Sequence, residues 1–151
     1  MNLTRVWRVG LLGVCVGLLL LSVGPMLAQA AEKEFIIVTG EWKWKAKSGE
    51  APVVDRNLGS VKEIERYVFN PGFIVVNKGD TVVLRIHAVK GSKHLIEIKA
   101  FGVPETEINR GEEKTIRFVA TKAGTFKMVC NNHVSPEKEG PMVGYVYVLP
   151  R

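Results

Sequence analysis

Thr125-Phe126-Lys127-Met128-Val129-Cys130-Asn131-Asn132-His133, followed after a short loop by Gly140-Pro141-Met142-Val143-Gly144-Tyr145-Val146-Tyr147-Val148-Leu149, holds the stretch on which the fold turns. Both flanks repeat with a period of two. Tyr145 and Tyr147 fall on one face of the last segment and Val146 and Val148 on the other, while Met128 alternates with Lys127 and reads as a core residue. The stretch is therefore two β-strands joined by a loop that carries a cysteine, a histidine and a methionine.

Working outward, the same period recurs in Phe35–Val38, Phe73–Val76, Thr81–Ile86, His94–Ile98 and Thr115–Val119, all rich in β-branched and aromatic residues. Turn residues separate them: Asn70-Pro71-Gly72, Asn77-Lys78-Gly79-Asp80, Lys90-Gly91-Ser92, Asn109-Arg110-Gly111 and Lys122-Ala123-Gly124. Strands at this spacing predict an all-β sandwich of about seven to eight strands. Residues 41–68 are less legible. Trp42-Lys43-Trp44-Lys45 alternates like a strand with an aromatic face whose default is core packing, 47–59 is polar and turn-rich, and 60–67 fits either a helical turn or an edge strand.

The amino terminus reads as a targeting signal. Arg5 and Arg8 precede an apolar run from Val9 to Val23, Gly24-Pro25 interrupts it, and Ala28-Gln29-Ala30 is an A-x-A cleavage site. Cleavage after Ala30 predicts a periplasmic or secreted protein without stable membrane insertion; retention of the segment as an anchor is the rival. The expected division is 1–30 signal, 31–68 an amino-terminal strand or hairpin extension, and 69–151 a core.

Composition narrows the function. A hydrophobic fraction of 46% against 24% charged residues excludes a disordered chain. Formal charge is +6, two units of which leave with Arg5 and Arg8, and the remaining basic residues are scattered among acids, so nucleic-acid binding is not expected. Of the two cysteines, Cys15 lies in the signal. Cys130 is then a lone thiol in an oxidising compartment, and such a residue is normally either an inert small hydrophobe or a ligand.

Its surroundings favour the ligand. Cys130 ends a strand, His133 follows in the loop, Met142 precedes the final strand, and His94 stands on an upstream strand. One thiolate, two imidazoles and a weak thioether suit copper in a trigonal site with an axial methionine. His87 shares its strand face with Arg85 and reads as a surface histidine, and Glu112-Glu113 with Glu105 and Glu107 read as solvated acids.

C-x2-H, G-x-M-x-G and a closing Tyr-Val-Tyr-Val strand together resemble the cupredoxins, the small blue copper proteins, from about Asn70 to Leu149. Within that family Phe101-Gly102-Val103, Ile108 to Phe118 and Lys122 to Phe126 are most similar to the nitrosocyanin-like red copper proteins. Two departures stand out: His94 falls where those proteins carry a glutamate ligand, and Glu137, Lys138 and Glu139 stand where a second loop histidine would be. The asparagine that follows the upstream histidine in many blue copper proteins is replaced by Leu95.

The resemblance implies a Greek-key sandwich and one copper per chain on His94, Cys130, His133 and Met142, with Glu137, Glu139 or water as substitutes for Met142. It implies electron transfer with a redox protein such as a cytochrome, oxidase or reductase. The alternative is a red-copper centre with an open position for a nitrogen oxide, and self-association through residues 31–68 is a further implication.

Overall fold

The computed structural model describes residues 30–151; the expected signal segment, apart from Ala30, lies outside them. Eleven strands form, in chain order β1 (Glu32–Lys45), β2 (Val53–Asp55), β3 (Gly59–Val61), β4 (Glu63–Asn70), β5 (Phe73–Asn77), β6 (Thr81–Ala88), β7 (Lys93–Ile98), β8 (Val103–Asn109), β9 (Glu113–Val119), β10 (Gly124–Cys130) and β11 (Val143–Leu149). All seven segments read from the period of two are strands. Four more join them, of which β8 and β4 complete the sheets and β2 and β3 form a small separate hairpin.

Two sheets make a Greek-key β-sandwich, one ordered β4-β1-β6-β9 and the other β5-β11-β10-β7-β8. Alternation puts Val82, Leu84, Ile86 and Ala88 of β6 inside, facing Ile96 and Ile98 of β7 and Val146 and Val148 of β11. Each fully buried branched side chain of this kind is worth about 1.5–3 kcal/mol, and together they hold the sheets that carry the loops. Met128 is buried among them, as its alternation with Lys127 predicts.

β1 is not an appendage to this core. From Glu32 to Thr39 it runs parallel to β6, and Ile37 and Thr39 are buried. From Val38 to Lys45 it pairs antiparallel with β4, and no residue between Gly40 and Val68 is buried. The boundary expected at 68/69 therefore falls inside β4, and only residues 40–68 behave as an extension. Trp42 and Trp44 lie on this ribbon, Trp42 being 53% exposed, so neither is a core residue.

Asp80 ties the far end of the sandwich. Its buried carboxylate accepts the N–H groups of Asn77 (2.9 Å) and Ala31 (3.1 Å) and the Arg151 guanidinium. Those backbone donors, with Arg151, hold its pKa below the usual carboxylate range against the opposing effect of burial.

Candidate metal centre

At the opposite end β7 begins, β10 ends and β11 begins, and this meeting point gathers the chemistry. His94 is the second residue of β7 and Cys130 the last of β10, so both inherit fixed backbones from the sheet. Cys130 Sγ lies 3.5 Å from His94 Nδ1 and 3.4 Å from His133 Nδ1. Among the described residues, these three form the cluster of histidine, cysteine or carboxylate ligands whose donor atoms all lie within 4.8 Å of one another. For a borderline ion with bonds of about 2.3 Å to sulfur and about 2.0 Å to nitrogen, tetrahedral to trigonal angles put the two donors about 3.5–3.8 Å apart. The residues fit an ion with little movement.

The atoms behind the ligands fix which nitrogen faces inward. His94 Nε2 sits 2.6 Å from the carbonyl oxygen of Lys90, which can only accept, so the ring proton resides on Nε2 and the Nδ1 lone pair faces the sulfur. That carbonyl also accepts the Thr39 hydroxyl at 2.9 Å, and Thr39 in turn accepts the Val89 N–H. Gly91 is required here: a Cβ on it would stand 2.7 Å from His94 Cε1 and Nε2.

Asn132 provides the tie that Leu95 cannot. Its Oδ1 accepts the Leu95 N–H at 2.9 Å, its Nδ2 donates to the Lys93 carbonyl at 2.7 Å, and the Cys130 thiol donates to the same Oδ1 at 3.0 Å. The loop holding Cys130 and His133 is thereby fastened on both sides of His94. Neighbouring Asn131 donates to Glu97 and Glu105, extending the seam to β8.

Met142 is fully buried, and its backbone bridges His133 and Cys130: its N–H donates to the His133 carbonyl at 2.8 Å and its carbonyl accepts the Cys130 N–H at 3.1 Å. Gly140 makes that return possible, because a Cβ there would lie 2.2 Å from the His133 carbonyl oxygen. Glu137 is exposed and Glu139 takes the left-handed conformation at φ 51°; neither belongs to the cluster. His87 pairs with Glu113 at 3.1 Å across two partly exposed side chains, away from the cluster, as a surface histidine should.

Burial dominates the electrostatics. It lowers the pKa of both histidines, the Lys90 carbonyl partly opposing it at His94 and the His94 ring adding to it at His133. Both rings are thus held neutral, the form that binds metal. Burial also pushes the Cys130 thiol up, while the backbone N–H groups of Leu95, Asn132 and His133 pull the other way and the Glu105 carboxylate raises it further. A cation held there would supply the positive charge that such a buried sulfur lacks.

Tyr67 was not legible as part of this site. It belongs to β4, inside the segment whose pattern fits helix and strand equally, yet its ring centroid lies 4.5 Å from that of His133 and 5.9 Å from that of His94. Thr39 and Asn132 were equally hidden, since nothing in their local spacing marks a contact fifty or thirty-seven residues away in the chain.

A sequence profile described as a cupredoxin-like domain matches residues 28–143. Among solved structures, a multicopper oxidase superposes with a TM-score of 0.58 at 24% identity over 81% of this chain and 40% of that one. A copper nitrite reductase from Nitrosomonas europaea gives 0.58 at 18% identity, covering 80% and 42%. A blue copper oxidase from the same organism gives 0.58 at 19% identity, covering 80% and 39%. At these identities the likeness is one of fold, and the chain spans less than half the length of each of these proteins. No curated protein sequence matches the chain.

Proposed function

Because the chain belongs to the cupredoxin-like domain family, we propose that it is an exported one-electron carrier with a single mononuclear copper held by His94, Cys130, His133 and, axially, Met142. The observation that carries this reading is the convergence of one thiol and two neutral imidazoles on a common point, with the His94 ring oriented by the Lys90 carbonyl and the Cys130 thiol held by Asn132. Copper bound there would supply a one-electron couple between its two common oxidation states.

The chain's own residues explain why such a centre would exchange electrons readily. Lys90 and Thr39 hold the His94 ring, Asn132 locks the two ligand segments together, and the Met142 backbone closes the loop. Ligands that do not move between redox states keep the reorganisation small. Low exposure serves the same end by keeping water from the donor atoms: His94 and Met142 are fully buried and Cys130 is 1% exposed. His133, at 8%, is the ligand nearest solvent and the natural exit toward a cytochrome, oxidase or reductase. Export rests on the Ala28-Gln29-Ala30 cleavage signal.

The test is the visible spectrum of the chain from Ala31 loaded with Cu(II), beside a Met142→Ala variant. A blue protein whose spectrum and potential shift in the variant supports the reading. A red protein indifferent to Met142 would instead indicate a tetragonal centre with an open position for a small molecule, and a colourless one that retains no copper would defeat both.

A further inference from the structure

Residues 40–68 make a half-exposed ribbon whose sequence offers no reason for its position, yet it ends on the ligands. Register places Tyr67 opposite Glu41, and the Glu41 carboxylate reaches Lys90 Nζ at 3.8 Å, on the residue whose carbonyl holds His94. The Tyr67 N–H donates to the Glu139 carbonyl at 2.8 Å, which fastens the ribbon to the ligand loop between His133 and Met142. The ring is tilted against His133 and meets His94 edge-on. It also lies against Gly91: a Cβ built there would be 3.5 Å from Tyr67 Cε1.

We infer that Tyr67 is the roof of the metal site: its ring closes the solvent side of His94 and His133 and bars small exogenous ligands from the ion, making the ribbon a shield that keeps the centre an electron-transfer site. This rests on the copper reading above for its metal arm, but the closure itself is a property of the metal-free chain. A ring in contact with both imidazoles covers the side left by the sandwich, whose own residues seal Cys130, His94 and Met142 from below. Tyr67 meets the two imidazoles with its ring, so its role is positioning and exclusion.

Two measurements on the chain from Ala31 separate the inference from the copper reading. In the metal-free protein, the rate at which Cys130 reacts with a disulfide reagent such as dithiobis-nitrobenzoate is expected to be slow in wild type and Tyr67→Phe. It should rise tenfold or more in Tyr67→Val, a residue at home in a strand, with Tyr67→Leu in between. In the Cu(II)-loaded protein, azide is expected to leave the absorption and paramagnetic resonance spectra of wild type and Tyr67→Phe unchanged and to produce a new ligand-dependent band in Tyr67→Val. Circular dichroism identifies folded variants, and Tyr67→Leu serves if Tyr67→Val does not fold. Equal thiol rates in wild type and the folded ring-less variant would overturn the roof, as would azide binding to wild type as tightly as to that variant. Failure of wild type to take copper would instead defeat the copper reading, and the thiol rates would still decide the roof.

Discussion

The two halves of β1 show how one strand can serve two purposes. From Glu32 to Thr39 it lies within the sandwich beside β6, with Ile37 and Thr39 turned into the core, and its stability comes from buried area. From Gly40 to Lys45 it has β4 as its partner and no buried residue, and ladder hydrogen bonds and cross-strand pairs such as Lys43 with Glu63 and Glu65 hold it. The first half builds the scaffold. The second contributes little to the core and carries its weight at the site, where β4 delivers Tyr67 to the imidazoles.

The largest test of this contrast sets Ile37→Ala against Trp42→Ala. Ile37→Ala should cost about 3 kcal/mol, the range for deleting a buried aliphatic side chain, and thermal unfolding should show a clear drop. Trp42→Ala, on the exposed half, should leave the melting temperature nearly unchanged; equal losses would mean the ribbon is part of the cooperative core.

Next comes Asp80, which anchors the start of β1 at the other end. Asp80→Ala strands the Asn77 and Ala31 N–H groups and the Arg151 guanidinium, at a cost on the order of 2–3 kcal/mol. The pH dependence has a definite sign. A carboxyl whose folded pKa is depressed binds its proton sooner in the unfolded chain, so its contribution is fully present above the ordinary value of 3.8 and is lost as pH falls below it toward the folded pKa. Denaturant melts of wild type and Asp80→Ala should therefore converge in strong acid and stay apart at neutral pH.

Smaller in stability but specific to the site is Asn132→Ala. Loss of its two backbone bonds should cost about 1 kcal/mol and lower copper affinity about tenfold, as removal of a group orienting the ligands does. Unaltered affinity in a competition titration would show that the ligand segments hold their places without it. Smallest of all, Lys43→Met breaks exposed pairs that solvent already screens, and the melting curve should overlay wild type.

The same contrast explains what the sequence disclosed. Strands with one face in the core alternate strongly, so Thr81–Ile86 and Tyr145–Leu149 read directly as β structure, and the candidate ligands at a strand end and in the following loop, Cys130 and His133, read from their spacing and chemistry. Residues 41–68 have no buried face to impose a period, and their strands are fixed by partners distant in the chain. β8 was obscured because Val103 to Asn109 is mostly polar, with only Val103 and Ile108 buried. Asn132 took over the tying role left vacant by Leu95 from a different position, which no local pattern announces.

The central claim is that Cys130 joins His94 and His133 in holding one copper, and a Cu(II) titration of wild type and Cys130→Ser followed by visible absorption tests it most directly. An intense sulfur-to-copper band is expected to saturate at one copper per chain in wild type and to be absent from the folded serine variant. A band that survives in Cys130→Ser, or a wild-type protein that develops none, would contradict it.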